Sequence, residues 1–253
     1  MTPHRLEIKD LTVAYHRVPA VHHVTLDIRC GHCVALLGPN GAGKTTFFKA
    51  LVGLVPKETG TIIFGGHGKA GADTDIAYLP QRSTIDWDFP IDVRGMVEMG
   101  RYMRIGSWRR FAKGDAEAVD DALSAIGLME LADRQISALS GGQQQRAFLA
   151  RALAQNAHVF LLDEPFTGLD KTAQDLLGET LRKLAAAGNL VIAAHHDLKS
   201  VPALFDKIIF LNGELIAFGD VGDVFTEGNI ARTYRTRIFS GARLHEATLS
   251  EST

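Results

Sequence analysis

Apolar and polar residues alternate over residues 6–15 (Leu6, Ile8, Leu11, Val13) and again over residues 24–28, the period-two pattern of a half-buried strand. The first stretch reads as a strand with a return, and the two together as an antiparallel edge. Val34-Ala35-Leu36-Leu37 is instead apolar throughout, as are residues 159–162 and 191–194, which is how a strand covered on both faces of a parallel sheet reads. Shorter strands are expected at residues 61–64 and 75–80. Between these regular parts, residues 86–138 change character. Ala116, Val119, Ala122, Leu123, Ile126 and Leu128 recur at helical spacing, which predicts an inserted helical subdomain in an otherwise α/β chain.

The first buried run leads into Gly38-Pro39-Asn40-Gly41-Ala42-Gly43-Lys44-Thr45-Thr46 and then into the apolar-rich Phe47-Phe48-Lys49-Ala50-Leu51-Val52. The order is strand, glycine-rich turn, helix, and the turn fits G-x-x-x-x-G-K-[ST]. Glycines in that setting let successive backbone N–H groups converge on phosphate oxygens at a helix N-terminus. Lys44 would reach the β- and γ-phosphates, and the Thr45 hydroxyl would sit on Mg2+. A nucleoside triphosphate is the expected ligand. Gly66-His67-Gly68-Lys69-Ala70-Gly71 fits the dinucleotide pattern G-x-G-x-x-G, but a polar loop and a strand follow it where that pattern needs a helix.

A second helix start of the same kind lies at Ser140-Gly141-Gly142-Gln143, where Ser140 is a natural N-cap and the glycines allow an anion to approach the first free N–H groups. The buried run at residues 159–162 ends in two carboxylates, Asp163 and Glu164, at the strand end where ligands bind in parallel sheets.

Composition narrows the rest. The chain has 253 residues, 46% of them apolar, enough for one large core, and 27 basic against 29 acidic residues. That balance gives no cationic footprint for nucleic acid. Arg101, Arg104, Arg109 and Arg110 are accordingly read as a solvated helix surface. No apolar leader region and no membrane-spanning run is present, so a soluble, cytoplasmic protein is expected. Cys30 and Cys33 form a C-x-x-C with His22, His23 and His32 nearby. A lone pair of this kind is weak evidence for metal or redox chemistry, and both cysteines are read as turn residues.

Taken in order, residues 38–46, 139–143 and 159–165 resemble the Walker A, signature and Walker B motifs of the ATP-binding cassette ATPases. Gln81 after a strand, Gly168-Leu169-Asp170 and His196-Asp197 add to the resemblance, which spans about residues 6–234. It implies an α/β, P-loop nucleotide-binding cassette with an antiparallel β edge and an inserted helical subdomain, occupying residues 1–234 and followed by a C-terminal tail at 235–253. It also implies roles. Asp163 would hold a water of the Mg2+ shell beside Thr45, Glu164 would polarise the attacking water, Gln81 would sense both, and His196 would contact the γ-phosphate. Tyr15 would stack on adenine. Ser140, Gly141, Gly142 and Gln143 would bind the γ-phosphate of ATP held by a second copy of the chain, so an isologous dimer with shared sites is implied.

Residues 81–90, Met99-Gly100-Arg101-Tyr102 and His195-His196-Asp197-Leu198 resemble more narrowly the ATPases of bacterial manganese, zinc and chelated-iron importers. The implied setting is the cytoplasmic face of the inner membrane, bound to integral-membrane permease subunits and served indirectly by an extracytoplasmic substrate-binding protein. Two aromatics before a proline suggest burial against something, either inside the subdomain or, as the resemblance implies, in a groove that receives a short cytoplasmic helix of the permease, which makes Asp86-Trp87-Asp88-Phe89-Pro90 the expected permease contact. A soluble cassette ATPase for assembly or anchoring is the alternative. A chromosome-maintenance ATPase is disfavoured, since too few residues separate Lys44 from Ser140 for its long coiled coil.

Overall fold

The computed structural model describes residues 5–65, 76–81, 89–105 and 110–235. In chain order the elements are β1 (Arg5–Tyr15), β2 (Val18–Arg29), β3 (His32–Leu37), α1 (Lys44–Leu51), β4 (Thr59–Gly65), β5 (Ile76–Leu79), α2 (Val93–Ile105), α3 (Lys113–Ala125), α4 (Gly141–Ala154), β6 (Val159–Leu162), α5 (Lys171–Ala186), β7 (Leu190–His195), α6 (Val201–Leu204), β8 (Lys207–Asn212), β9 (Glu214–Asp220), α7 (Val221–Val224) and α8 (Glu227–Arg235). The strands form two sheets. A three-stranded antiparallel sheet has the order β2-β1-β4, and a six-stranded sheet has the order β5-β6-β7-β3-β8-β9. The latter is parallel except for β9, which runs antiparallel to β8 at its edge.

The continuous apolar runs follow from what covers each face. In β3, Cys33, Ala35 and Leu37 join a core shared with the helices, whereas Val34 and Leu36 join a second core beneath the antiparallel sheet. The same division separates Phe160 and Leu162 from Val159 and Leu161 in β6, and Val191 and Ala193 from Leu190, Ile192 and Ala194 in β7. A central strand must therefore be apolar at both parities. Phe47, Phe48, Phe160 and Phe210 are among the largest fully buried side chains. Burial of each contributes on the order of 2–3 kcal/mol.

The antiparallel edge is as expected, with one correction. Residues 6–15 contain no return; β1 is a single eleven-residue strand, and the chain reverses at His16 and Arg17. Both adopt left-handed backbone conformations, φ 50° and 67°. This is the two-residue hairpin geometry that normally selects Asn-Gly, and its absence from the sequence hid the turn.

Helices α2, α3 and α4 pack together on one face of the large sheet. At Gly100 of α2 an added Cβ would lie 2.2 Å from the carbonyl oxygen of Arg151 in α4, so only glycine permits that approach. Arg101 corrects the reading of a solvated arginine surface. Its guanidinium donates to Asp115 Oδ1 at 2.9 and 2.6 Å and to the Ala154 carbonyl at 2.9 Å. One side chain thereby joins all three helices. Arg110 is exposed, while Arg109 and the side chain of Arg104 lie outside the described residues. So do the glycine-rich stretch at 66–71, Asp86-Trp87-Asp88 and the tail beyond Arg235. Phe89, next to that segment, is 55% exposed, and Met99 and Tyr102 are also exposed.

The cysteines separate. Cys30 is half-buried at the start of the β2–β3 connection, but Cys33 belongs to β3 and is fully buried. Its amide donates to Asp206 Oδ2 at 2.9 Å, and burial with the Asp206 charge pushes its thiol up to about 12. It is a small apolar side chain of the core rather than a turn residue. Cys33→Ser should therefore lower stability by about 1–2 kcal/mol by burying a hydroxyl, while Cys30→Ser stays near neutral. Melting of the two single variants measures the difference.

Candidate functional site

The glycine-rich turn leaves β3 at Leu37 and enters α1 through Gly43, which holds a left-handed φ of 91°. A Cβ on Gly43 would stand 2.2 Å from the Ala20 carbonyl oxygen, and one on Gly38 would stand 2.0 Å from the Leu211 carbonyl oxygen. Two positions of the pattern are thus glycine because neighbouring backbone occupies the space. Lys44 curls back over the turn, its Nζ donating to the carbonyls of Gly38 at 2.7 Å and Pro39 at 3.1 Å. It is 8% exposed. Burial lowers its pKa, and the nearby charges of Glu164 and Asp163 act in the opposite direction.

Thr45, the next residue, donates from Oγ1 to Asp163 Oδ2 at 2.7 Å. Asp163 is 2% exposed, and burial raises its carboxyl pKa against the Thr45 hydrogen bond, which lowers it. Its amide donates to the Leu79 carbonyl at 2.9 Å, closing β5 onto the end of β6. In the parallel register Leu79 lies beside Leu162, so the residues two positions on, Gln81 and Glu164, emerge side by side. Gln81 Nε2 donates to Glu164 Oε2 at 3.3 Å. Glu164 holds a left-handed φ of 56°, an uncommon conformation for a residue with a side chain, and one that concentrates at functional sites.

Leu37 pairs with His195 across β3 and β7, which sets the phosphate turn next to the His195-His196 strand end. His196 is exposed just beyond the strand, and His195 is buried. Tyr15 ends β1 at the hairpin turn and is 46% exposed. Ser140 caps α4, where its Oγ accepts from Gln143 N at 3.4 Å while Gln143 Oε1 accepts from Ser140 N at 2.9 Å. That reciprocal box leaves the amides of Gly141 and Gly142 as the free donors of the first turn. A Cβ on Gly142 would lie 3.2 Å from the Gly168 carbonyl, so the start of α4 abuts the loop after Glu164.

The arrangement gathers a buried cation, a turn of backbone donors, two carboxylates and an amide side chain at the carboxyl edge of one sheet. Its cation and donors suit a polyphosphate, with a carboxylate beside it. A family model of the ABC transporter matches residues 21–167, more than half of the chain. The chain belongs to that family.

Among curated ABC transporter proteins it is 44% identical over 233 residues to the manganese transport system ATP-binding protein MntB of Bacillus subtilis, covering 92% of this chain and 93% of that one. It is 41% identical over 239 residues to the zinc transport system ATP-binding protein TroB of Treponema pallidum, covering 94% and 90%. Among solved structures, a metal-chelate type ABC transporter in an inward-facing conformation superposes with a TM-score of 0.79 at 29% identity, over 92% of this chain and 89% of that chain. ABC transporter ATP-binding subunits bind ATP and hydrolyse it to drive transport in systems that work with membrane permeases, and this chain is such an ATPase. Among the described residues no helix is long and apolar enough to cross a membrane.

Two features of the site have no sequence pattern of their own. Gly213, in the β8–β9 turn, donates from N to the Ala42 carbonyl at 2.9 Å and accepts at its own carbonyl from His22 N at 2.7 Å, bracing the phosphate turn against β2. His195 bonds Ser200, as developed below. A buried polar residue at the end of an apolar strand was the only available signal, and its partner lies across a loop.

Among the described residues Lys44 is a buried ammonium held by carbonyls and by more distant charges, so before ATP arrives it costs stability. A Lys pKa lowered on folding means that the unfolded chain binds the extra proton, so the cost is present at neutral pH and fades only as pH rises through the lowered value. Lys44→Met should keep or raise the melting temperature of the nucleotide-free protein, yet abolish the rise that ATP gives the parent chain. Thermal melts with and without ATP measure both effects.

Proposed function

We propose that this chain is the ATP-hydrolysing subunit of a membrane importer, energising uptake of a transition metal ion, manganese, zinc or iron, through a separate permease. The observation that carries this reading is near end-to-end similarity to the manganese and zinc transport ATP-binding proteins, in a chain whose Thr45–Asp163 and Gln81–Glu164 pairs meet beside the phosphate turn.

The residues divide the work. Backbone amides of Gly41, Ala42, Gly43 and Lys44, with Pro39, Asn40 and Thr46 shaping the turn, cradle the β- and γ-phosphates, and Lys44 Nζ exchanges its two carbonyl partners for phosphate oxygens. The hard oxygens of Thr45 and Asp163, 2.7 Å apart, fit Mg2+ chelated by ATP, with Gln81 alongside. That ion supplies charge neutralisation at the β- and γ-phosphate oxygens. Glu164 accepts a hydrogen bond from the attacking water and orients it, Gln81 holds the Glu164 carboxylate at 3.3 Å, and His196 meets the γ-phosphate. Tyr15 offers its exposed ring to adenine.

The donors at Gly141 and Gly142 are free on a helix start, with Ser140 and Gln143 fixing its geometry. This supports their use by ATP held on a second copy, in an isologous dimer with two shared sites. Such a dimer sits at the cytoplasmic face of the membrane against its permease, and an extracytoplasmic binding protein delivers the ion. The cassette occupies residues 1–234 with its helical subdomain at about 86–138, and the tail follows.

Glu164→Gln keeps shape and removes charge, so ATP should still bind while turnover falls by about 10^2-fold or more. Cells carrying only that variant should match cells lacking the protein in manganese, zinc and iron content. Unchanged metal content in both would leave an ATPase without this cargo. Lys44→Ala and Ser140→Arg should each inactivate the homodimer, and mixing them should restore activity through one intact composite site per heterodimer. Heterodimers without recovered ATPase activity would exclude shared sites.

A further inference from the structure

His195 ends β7 immediately before His196, and its imidazole is only 4% exposed. Its Nε2 lies 2.7 Å from Ser200 Oγ, and that hydroxyl lies 3.0 Å from the Asp197 carbonyl oxygen. The carbonyl can only accept, so the single hydroxyl proton goes to Asp197, and Ser200 Oγ accepts in turn from His195. The hydrogen of the neutral imidazole is therefore on Nε2. The ring also packs edge-on against Phe166, centroids 5.2 Å apart at 75°, and against Phe205 at 5.4 Å. Its centroid is 5.8 Å from that of His196. Phe166 lies two residues beyond Glu164, while Ser200 and Asp197 belong to the loop that begins with His196.

One buried side chain thus touches both loops that carry the chemistry, and its own backbone is held in register with Leu37 at the mouth of the phosphate turn. We propose that His195 is a positioning residue, whose Nε2–H bond to Ser200 and seat against Phe166 hold the His196 loop in register with the Glu164 loop. The proposal rests on the roles given above to Glu164 and His196. Because His195 is buried behind His196 and away from the phosphate turn's own donors, turnover is expected to depend on it more than ATP binding does. The titratable groups around it are His196 and Asp197 on its own loop and Glu164 on the facing one, and the packed neighbours Phe166 and Phe205 are apolar.

The test uses His195→Phe, which keeps a buried ring without the donor, and His195→Gln, which returns an N–H at similar reach. His195→Phe should lower kcat roughly tenfold with KM for ATP within about twofold, and His195→Gln should recover most of the loss. Ser200→Ala should reproduce the loss, Ser200→Thr should relieve it, and His195→Phe with Ser200→Ala together should cost no more than either alone. The split between kcat and KM and the rescue by His195→Gln are readouts that packing alone would not move, and a pH series checks separately that the imidazole is buried. Burial holds the imidazole below its ordinary 6.5, so the unfolded chain takes up a proton that the folded chain refuses, and stability present above that value is lost as pH falls beneath it. His195→Phe should lose that component of acid sensitivity. Wild-type kcat in His195→Phe, or equal loss in His195→Phe and His195→Gln, overturns the proposal. If His195→Phe does not fold, the Ser200 pair decides in the same way. His196→Ala separates the two levels: retained turnover there removes the assignment of His196 itself, whereas an inactive His196→Ala beside a normal His195→Phe removes only the positioning role.

Discussion

The phosphate turn is squeezed between two strands that belong to different sheets. Leu211 of β8 presses on it from the large sheet and Ala20 of β2 from the small one, at distances that admit no Cβ on Gly38 or Gly43. Gly213 then ties the Ala42 carbonyl to the backbone of His22. The geometry of the turn and the docking of the antiparallel sheet are consequently a single constraint. A strand that shifted by even a fraction of an ångström would open the turn or collide with it, so the small sheet is part of the binding site although it contributes few side chains to it.

Register carries that constraint across the large sheet. Leu37 pairs with His195, Ala193 with Leu162, and Leu162 with Leu79. Every chemical group then follows its strand by a residue or two, which is why Gly38, His196, Glu164 and Gln81 arrive at one edge from stretches far apart in sequence. Their charges are arranged in the same spirit. Among the described residues, Lys44 is desolvated without a carboxylate bound to it, and Asp163 is desolvated with the Thr45 hydroxyl as its side-chain partner. On the proposed assignment, a magnesium nucleotide would supply both with a partner at once. Groups fixed in this way need little reorganisation when charge develops on the phosphoryl oxygens.

The site was legible where chemistry demands residue types at fixed spacing within one loop: the glycines before Lys44, the capping serine at 140 and the carboxylates after Leu162. The strands were legible because burial on both faces erases alternation. What escaped reading depends on contacts between segments that no local pattern encodes. The hairpin turn at His16 and Arg17 carries none of the residues its backbone favours, because the flanking strands impose the conformation. Arg101 looks like any surface arginine until Asp115 and the end of α4 come round to it. Cys33 sits in a short polar-looking stretch, yet β3 begins one residue earlier and takes it into the core. His195 is overshadowed by the histidine that follows it.

The locking of α2 to α4 has a mechanical consequence. With Gly100 in backbone contact at Arg151 and Arg101 anchored on the Ala154 carbonyl, these helices cannot slide past each other without losing that hydrogen bond and a tightly packed glycine contact, while the Arg101–Asp115 ion pair ties α2 to α3. Breaking that ion pair by removing one partner would cost about 3–5 kcal/mol. Met99 and Tyr102 stand on the exposed face of α2, and α4 meets the Gly168 loop at its other end through Gly142. That loop leads directly into Asp170, the cap of α5, and back to Glu164. The helical layer and the carboxylate edge of the sheet are thus joined by packing at Gly142, and α2 is fixed to α4 by one arginine and one glycine.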